Sequence, residues 1–152
     1  MSKLKIKGAA SIPLVLGIGI LVFLIAISVT SVETARIYLT QANADGAQAM
    51  QYAQTGLRDA LQQLARNRDV GTSTAIVFNI EMATSGCATL RACARVAVSN
   101  GIGTVESPKI ISALGYHRNA RKGLQAEVVL DTSGWGTLRV TTLGETLNPL
   151  GL

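Results

Sequence analysis

The chain has one histidine, two cysteines and three prolines in 152 residues, and each scarcity closes off a class of function. With a single imidazole, any nucleophile–base–acid arrangement of the common kind has to be built around His117, and the nearby Ser112 reads more simply as a strand residue. One histidine and two thiols are too few to close a structural metal site. No catalytic, metal or cofactor residue is assigned, and the chain is not expected to be an enzyme. Charge is missing altogether from Gly8 to Val32, the 25 residues between Lys7 and Glu33, and about 20 apolar residues are enough for a helix to cross the hydrocarbon of a bilayer. From Glu33 to Arg68 there is no proline, serine-rich linker or paired breaker, so nothing stops a helix at the membrane edge.

What is present reads as one helix from about Ile12 to Arg68, which at about 1.5 Å per residue would reach roughly 85 Å. Pro13 is tolerated only in the first turn, where its missing N–H has no partner to lose. Gly17 and Gly19 each cost about 1 kcal/mol of helix propensity. They mark either a soft stretch or the ordinary glycine content of membrane helices. Beyond Glu33 the residues Ala42, Ala49, Ala53, Gly56, Leu57, Ala60 and Leu64 recur at helical spacing. They form an apolar, mostly small stripe that lets another backbone approach closely. Gln41, Asp45, Gln48, Gln51, Gln62 and Arg66 face water or polar neighbours. Arg66 and Arg68 suit the C-terminal dipole, and Asn67 or Gly71 is placed to end the rod.

The net charge of +5 is mostly topogenic, because Lys3, Lys5 and Lys7 account for three of the 14 basic residues. Clustered lysines before a membrane helix stay cytoplasmic, so the chain is read as single-pass with its N-terminus inside and its C-terminal head outside. Nucleic-acid binding gains little support from the remaining +2. Three fates of the N-terminus are open: cleavage after Gly8, leaving Ala9 first; secretory cleavage after the small residues of Ala26-Ile27-Ser28; or no cleavage. The division is a leader (1–8), a transmembrane helix segment (9–32), an extracytoplasmic continuation of the helix (33–70) and a head (71–152).

After Gly71 the period changes to two. Ile76, Phe78, Ile80 and Met82 alternate with Val77, Asn79 and Glu81, and Ala92, Ala94, Val96 and Val98 alternate with Cys93, Arg95, Ala97 and Ser99, closed by Asn100-Gly101. A third strand spans about Lys109 to Tyr116. A fourth shows Leu124, Ala126, Val128 and Leu130 on one face, and after Asp131-Thr132-Ser133-Gly134 a fifth places Leu138, Val140 and Thr142 together. Short connections between the last three imply antiparallel pairing. The only cover for the apolar face is the water-side half of the helix, so the expected fold is α+β, a long helix with an antiparallel sheet on its distal half.

Cys87 and Cys93, outside the membrane with five residues between them, are expected to oxidise to a structural disulfide worth up to about 2–3 kcal/mol. Arg118, Arg121 and Lys122 flank a basic turn after His117, which reads either as a contact for an anionic surface or DNA or as a solvated hairpin tip. Trp135, between two glycines, reads as an exposed sugar or partner contact or as an aromatic folded over the sheet edge. The Gly-Ile-Gly triplets at 17–19 and 101–103 lack the strand-to-helix context that phosphate binding requires.

In combination these features resemble the type IV pilins and pilin-like proteins, and more narrowly their minor subunits and pseudopilins. The resemblance rests on the Lys-rich leader ending in Lys7-Gly8, the apolar segment that starts at once, and the unbroken helix through the 51–61 stretch QYAQTGLRDAL. Behind it come a sheet and the 110–116 stretch IISALGY, followed by Asn119-Ala120-Arg121-Lys122. It implies cleavage after Gly8 by a prepilin peptidase, methylation of Ala9, and assembly with other pilin subunits through the N-terminal helix on a pilus assembly platform, from the cytoplasmic membrane into a cell-surface filament. Family members usually start with Phe or Met and carry Glu at the fifth mature position, where this chain has Ala9 and Pro13. That Glu is understood to neutralise a neighbour's terminal amine, so its absence speaks against a major-subunit role and is compatible with a minor, priming or tip subunit or with a divergent lineage that has its own registry device. The alternative is a membrane-anchored extracytoplasmic binding or adhesion module that does not polymerise.

Overall fold

The structure is a computed structural model that describes residues 11–131 and 137–146. Helix α1 runs Ser11–Arg66, which places Pro13 in its first turn. Five strands follow: β1 (Ile76–Glu81), β2 (Ala92–Val98), β3 (Lys109–His117), β4 (Ala120–Leu130) and β5 (Leu138–Glu145). They form a single antiparallel sheet in chain order, so the fold is α+β. The contacts divide the chain into two units, Met1–Gln41 and Ala42–Leu152.

In the second unit the helix turns its small residues to the sheet. Ala53, Leu57, Ala60 and Leu64 are buried with Val96, Val98, Ile111, Ala113, Leu124, Ala126 and Val128 in one core, and Ala49, also buried, lies against Gly115. At about 1.5–3 kcal/mol per fully buried large aliphatic side chain, this contact holds the unit together. Two glycines set how closely the elements approach. A Cβ on Gly115 of β3 would overlap the carbonyl of Ala49 and the amide nitrogen of Ala53, and one on Gly56 would meet Val96 Cγ2 at 2.8 Å. The small stripe is therefore occupied by the chain's own sheet from Ala49 onward and is not open to another backbone there. Only Ala42 of the stripe stays exposed.

The helix ends at Arg66, two residues before the expected Arg68, a difference within ordinary fraying. Asn67 accepts the Asp69 N–H on its side chain, and Gly71 supplies the left-handed turn, with φ +77°. The segment between helix and sheet is tied down from β3: Lys109, fully buried, donates from Nζ to Val70 O at 2.8 Å and to Thr72 Oγ1 at 3.1 Å. Burial lowers its pKa from the ordinary 10.5, with the charge of Asp69 acting in the opposite direction.

Asn100-Gly101 closes β2 as expected and opens a connection of residues 99–108 to β3. One further expectation changes. In β5 a bulge at the partners of Glu127 and Val128 shifts the alternation: Val140 pairs with Val128, but Thr142 pairs with Glu127 and Leu143 with Ala126. Leu138, Val140 and Leu143 thus share the helix-side face and Thr142 lies on the other, because one extra residue reverses every side chain after it.

Gly115→Ala should destabilise the second unit by about 2–3 kcal/mol, since the helix must lift off β3, while Gly17→Ala, with nothing within 4 Å of the added carbon, should leave it unchanged; denaturant unfolding of the full chain in detergent measures both. For Lys109 the unfolded chain holds the proton more tightly than the native one. The native penalty is therefore fully present below the lowered pKa and fades as pH rises from there to 10.5, so stability should climb with pH in that window and climb less in Lys109→Met.

Candidate functional site

The chemically distinctive surface of the first unit is apolar. From Leu14 to Val32, thirteen large aliphatic or aromatic side chains are each more than half exposed, and α1 is the one helix among the described residues long and apolar enough to cross a membrane. At even ~1.5 kcal/mol each, leaving them in water would cost roughly 20 kcal/mol, more than the 5–15 kcal/mol that typically holds a domain folded. The few hydroxyls in this stretch are satisfied within the helix. Ser28 donates to Leu24 O, Thr30 to Ala26 O, Ser31 to Ser28 O and Thr34 to Thr30 O, all at 2.8 Å. That removes the main cost of placing them in a medium without water. The first charges, Glu33 and Arg36, pair with each other at 3.6 Å, and beyond them Ile37, Tyr38 and Leu39 are again about two-thirds exposed.

The basic turn is built differently from a free cationic patch. His117 and Ala120 are the last pair of the β3–β4 hairpin, leaving Arg118-Asn119 as a two-residue turn. Arg118 has φ +50°, a conformation that costs a side-chain-bearing residue about 1 kcal/mol or more. What holds it there is visible. Its N–H donates to Arg91 O at 2.9 Å, and its guanidinium lies 3.4 Å from Asp45 Oδ1 on α1. His117 Nε2 is 3.5 Å from the same oxygen, and its ring meets Tyr52 edge-on with centroids 5.7 Å apart. Asp45, expected to face water or polar neighbours, has polar neighbours here and is mostly covered. Neither this contact nor the burial of Lys109 is signalled in the sequence, because both join residues far apart in the chain.

The candidate residues do not converge on one site. Arg118 bends to Asp45, Arg121 follows Tyr116 on the sheet face away from the helix, and Lys122 lies on the helix side with its Cε 3.9 Å from the position of a Gly46 Cβ. All three are exposed. Ser112 and His117 alternate onto opposite faces of β3, so they cannot act together. Cys87, in the loop between β1 and β2, is joined by a disulfide to Cys93 in β2. Gly8, Ala9 and Trp135 lie outside the described residues, as does most of the Asp131–Gly134 turn. Among the described residues no group of three or more His, Cys, Asp or Glu side chains is placed to hold a metal ion. A shallow groove lined by Thr104, Val105, Leu130, Asp131, Thr137 and Arg139 sits at the β4–β5 end. No family model, curated protein or solved structure matches the chain.

If Arg118 is kept in its turn for its side chain, Arg118→Gly should be more stable than Arg118→Ala by about 1 kcal/mol, because glycine relieves the backbone whereas alanine retains the strain and loses Asp45. Chemical denaturation of the two variants side by side gives the difference directly.

Proposed function

We propose that the chain is a structural, pilin-like subunit of a type IV pilus or a related pseudopilus, in a minor rather than a bulk role. The observation that carries this reading is the continuity of α1, which exposes large apolar side chains from Leu14 to Val32 and runs without a break into a stretch buried under a five-stranded sheet. An anchor alone needs about 20 residues and does not require its helix to continue into the head. A subunit that moves from lipid into a filament gains from that continuity, because the helix must carry the head with it and exchange acyl chains for neighbouring helices.

In this reading the leader is cut after Gly8 by a prepilin peptidase, Ala9 is methylated, and an assembly platform with its ATPase draws the helix out of the cytoplasmic membrane. The head, with its sheet packed on the distal helix in the pilin manner, faces outward on the cell surface. Pro13 at the fifth mature position offers no carboxylate to a neighbour's terminal amine, and an unpaired charge in an apolar core is costly. This supports a priming or tip position.

Replacing Gly8 with a bulky residue should leave the chain at precursor mass in the membrane and remove it from the filament fraction sheared off cells. An unchanged mass and distribution would instead favour a membrane-anchored binding module.

A further inference from the structure

We propose that the Cys87–Cys93 disulfide is a latch whose state reaches α1: closed, it holds the Arg118 turn against Asp45, and opened, it lets that end of the sheet loosen from the helix. Among the described residues only three that carry a side chain have positive φ, Ser85 at 57°, Leu90 at 52° and Arg118 at 50°. Such conformations persist where the surroundings enforce them, and they cluster where a structure has two states to choose between. All three lie along one path, from the disulfide loop to the hairpin tip.

The path starts between β1 and β2. Cys87 is bonded to Cys93, which is buried in β2, and the crosslink keeps Gly86, the residue before Cys87, against the start of that strand. A Cβ on Gly86 would overlap the carbonyl of Ala92. The Gly86 carbonyl accepts the N–H of Arg91 at 3.0 Å and that of Ala92 at 3.4 Å. Across the crosslinked stretch Thr89 and Leu90 donate at only 3.3 and 3.4 Å, to Ser85 O and Cys87 O, so the covalent bond is the strongest tie that keeps the loop closed.

Arg91 relays that position. His117 pairs with Ala92 at the end of the β2–β3 ladder, and one step further an antiparallel ladder would exchange two bonds between Arg91 and Arg118. Arg118 makes its half, donating to Arg91 O at 2.9 Å, whereas the Arg91 N–H is turned to Gly86. Arg91 therefore takes its place from the disulfide loop and passes it to Arg118, whose guanidinium is 3.4 Å from Asp45 Oδ1. Opening the loop frees the acceptor that holds the left-handed turn. Coupling of this kind is reciprocal, so whatever the closed disulfide adds to the Asp45 contact, that contact adds to the closed disulfide. The latch lies wholly in the second unit and works alike in a chain that polymerises and in one that does not. Thiol pairs stay reduced in the cytoplasm and oxidise outside it, so a head carried outside would tighten its grip on the helix only there.

The test equilibrates the full chain, in detergent at fixed pH, with glutathione buffers: two glutathione thiols reduce the disulfide, giving the protein dithiol and one glutathione disulfide. Asp45→Asn and Arg118→Gln should each shift that equilibrium about fivefold toward the dithiol, and the two together no further than either alone. Lys109→Met, which breaks the tie to Val70 and Thr72 at the far end of β3, should leave it where it was. In the unmutated chain, hydrogen exchange at the Arg118 amide should speed up about tenfold on reduction. The Ser99 amide, bonded to Ile110 O at the other end of β2, should not change. A constant that neither Asp45→Asn nor Arg118→Gln moves overturns the latch, as does an equal shift in Lys109→Met. An Arg118 amide equally protected in both redox states overturns it too, and so does a loss of protection at Ser99 as large as that at Arg118, which would mean that the disulfide supports the whole head and not this contact.

Discussion

A single backbone helix has to meet two surroundings, and the rest of the structure depends on how it does so. Its first unit exposes aliphatic side chains in every direction and closes its own hydroxyls onto the preceding turn. Its second unit buries a stripe of alanines against a sheet. An α-helix serves both because all its main-chain groups are paired internally, whatever surrounds them. The two stretches differ in side-chain size rather than in backbone, large where no other part of the chain covers them and small where a β-strand comes within touching distance.

That close approach explains the composition of the head. Gly115 and Gly56 remove the side chains that would hold α1 and the sheet apart, so the layer between them is filled by alanine, valine and leucine rather than by aromatics. The apolar contact is bounded at each end by a polar tie. At one end Asp45 gathers Arg118 and His117 from the hairpin tip. At the other, the buried ammonium of Lys109 holds the carbonyl of Val70 and the hydroxyl of Thr72 just past the helix. Apolar packing permits sliding along the helix, whereas two ion-bearing contacts fix the register of sheet on helix. The head is thus fastened to its stretch of helix at both ends.

Much of this was legible in the residues themselves. The uncharged run, the helical stripe from Ala49 to Leu64 and the two-residue alternation of β1, β2 and β4 are local patterns, and local patterns dictate local structure. Pairing of the five strands in chain order was not legible beyond the short connections, since period-two sequences fix a face and not a neighbour. The bulge in β5 escaped notice because it is defined by the partner strand: nothing in Leu138–Glu145 alone says that Thr141 has no opposite number. The partners of Asp45 and Lys109 could not be read from the sequence because they lie 73 and 39 residues away. The stripe predicts a close backbone approach, and the backbone that takes it is β3 of the same chain.

The central claim is that α1 leaves the bilayer for a company of like helices after its leader has been removed. Intact-mass measurement with N-terminal sequencing of the protein recovered from the cell surface tests it most directly. A chain that begins at a methylated Ala9 is the predicted result; an intact Met1, or a start at Val29 within the apolar run, would contradict it.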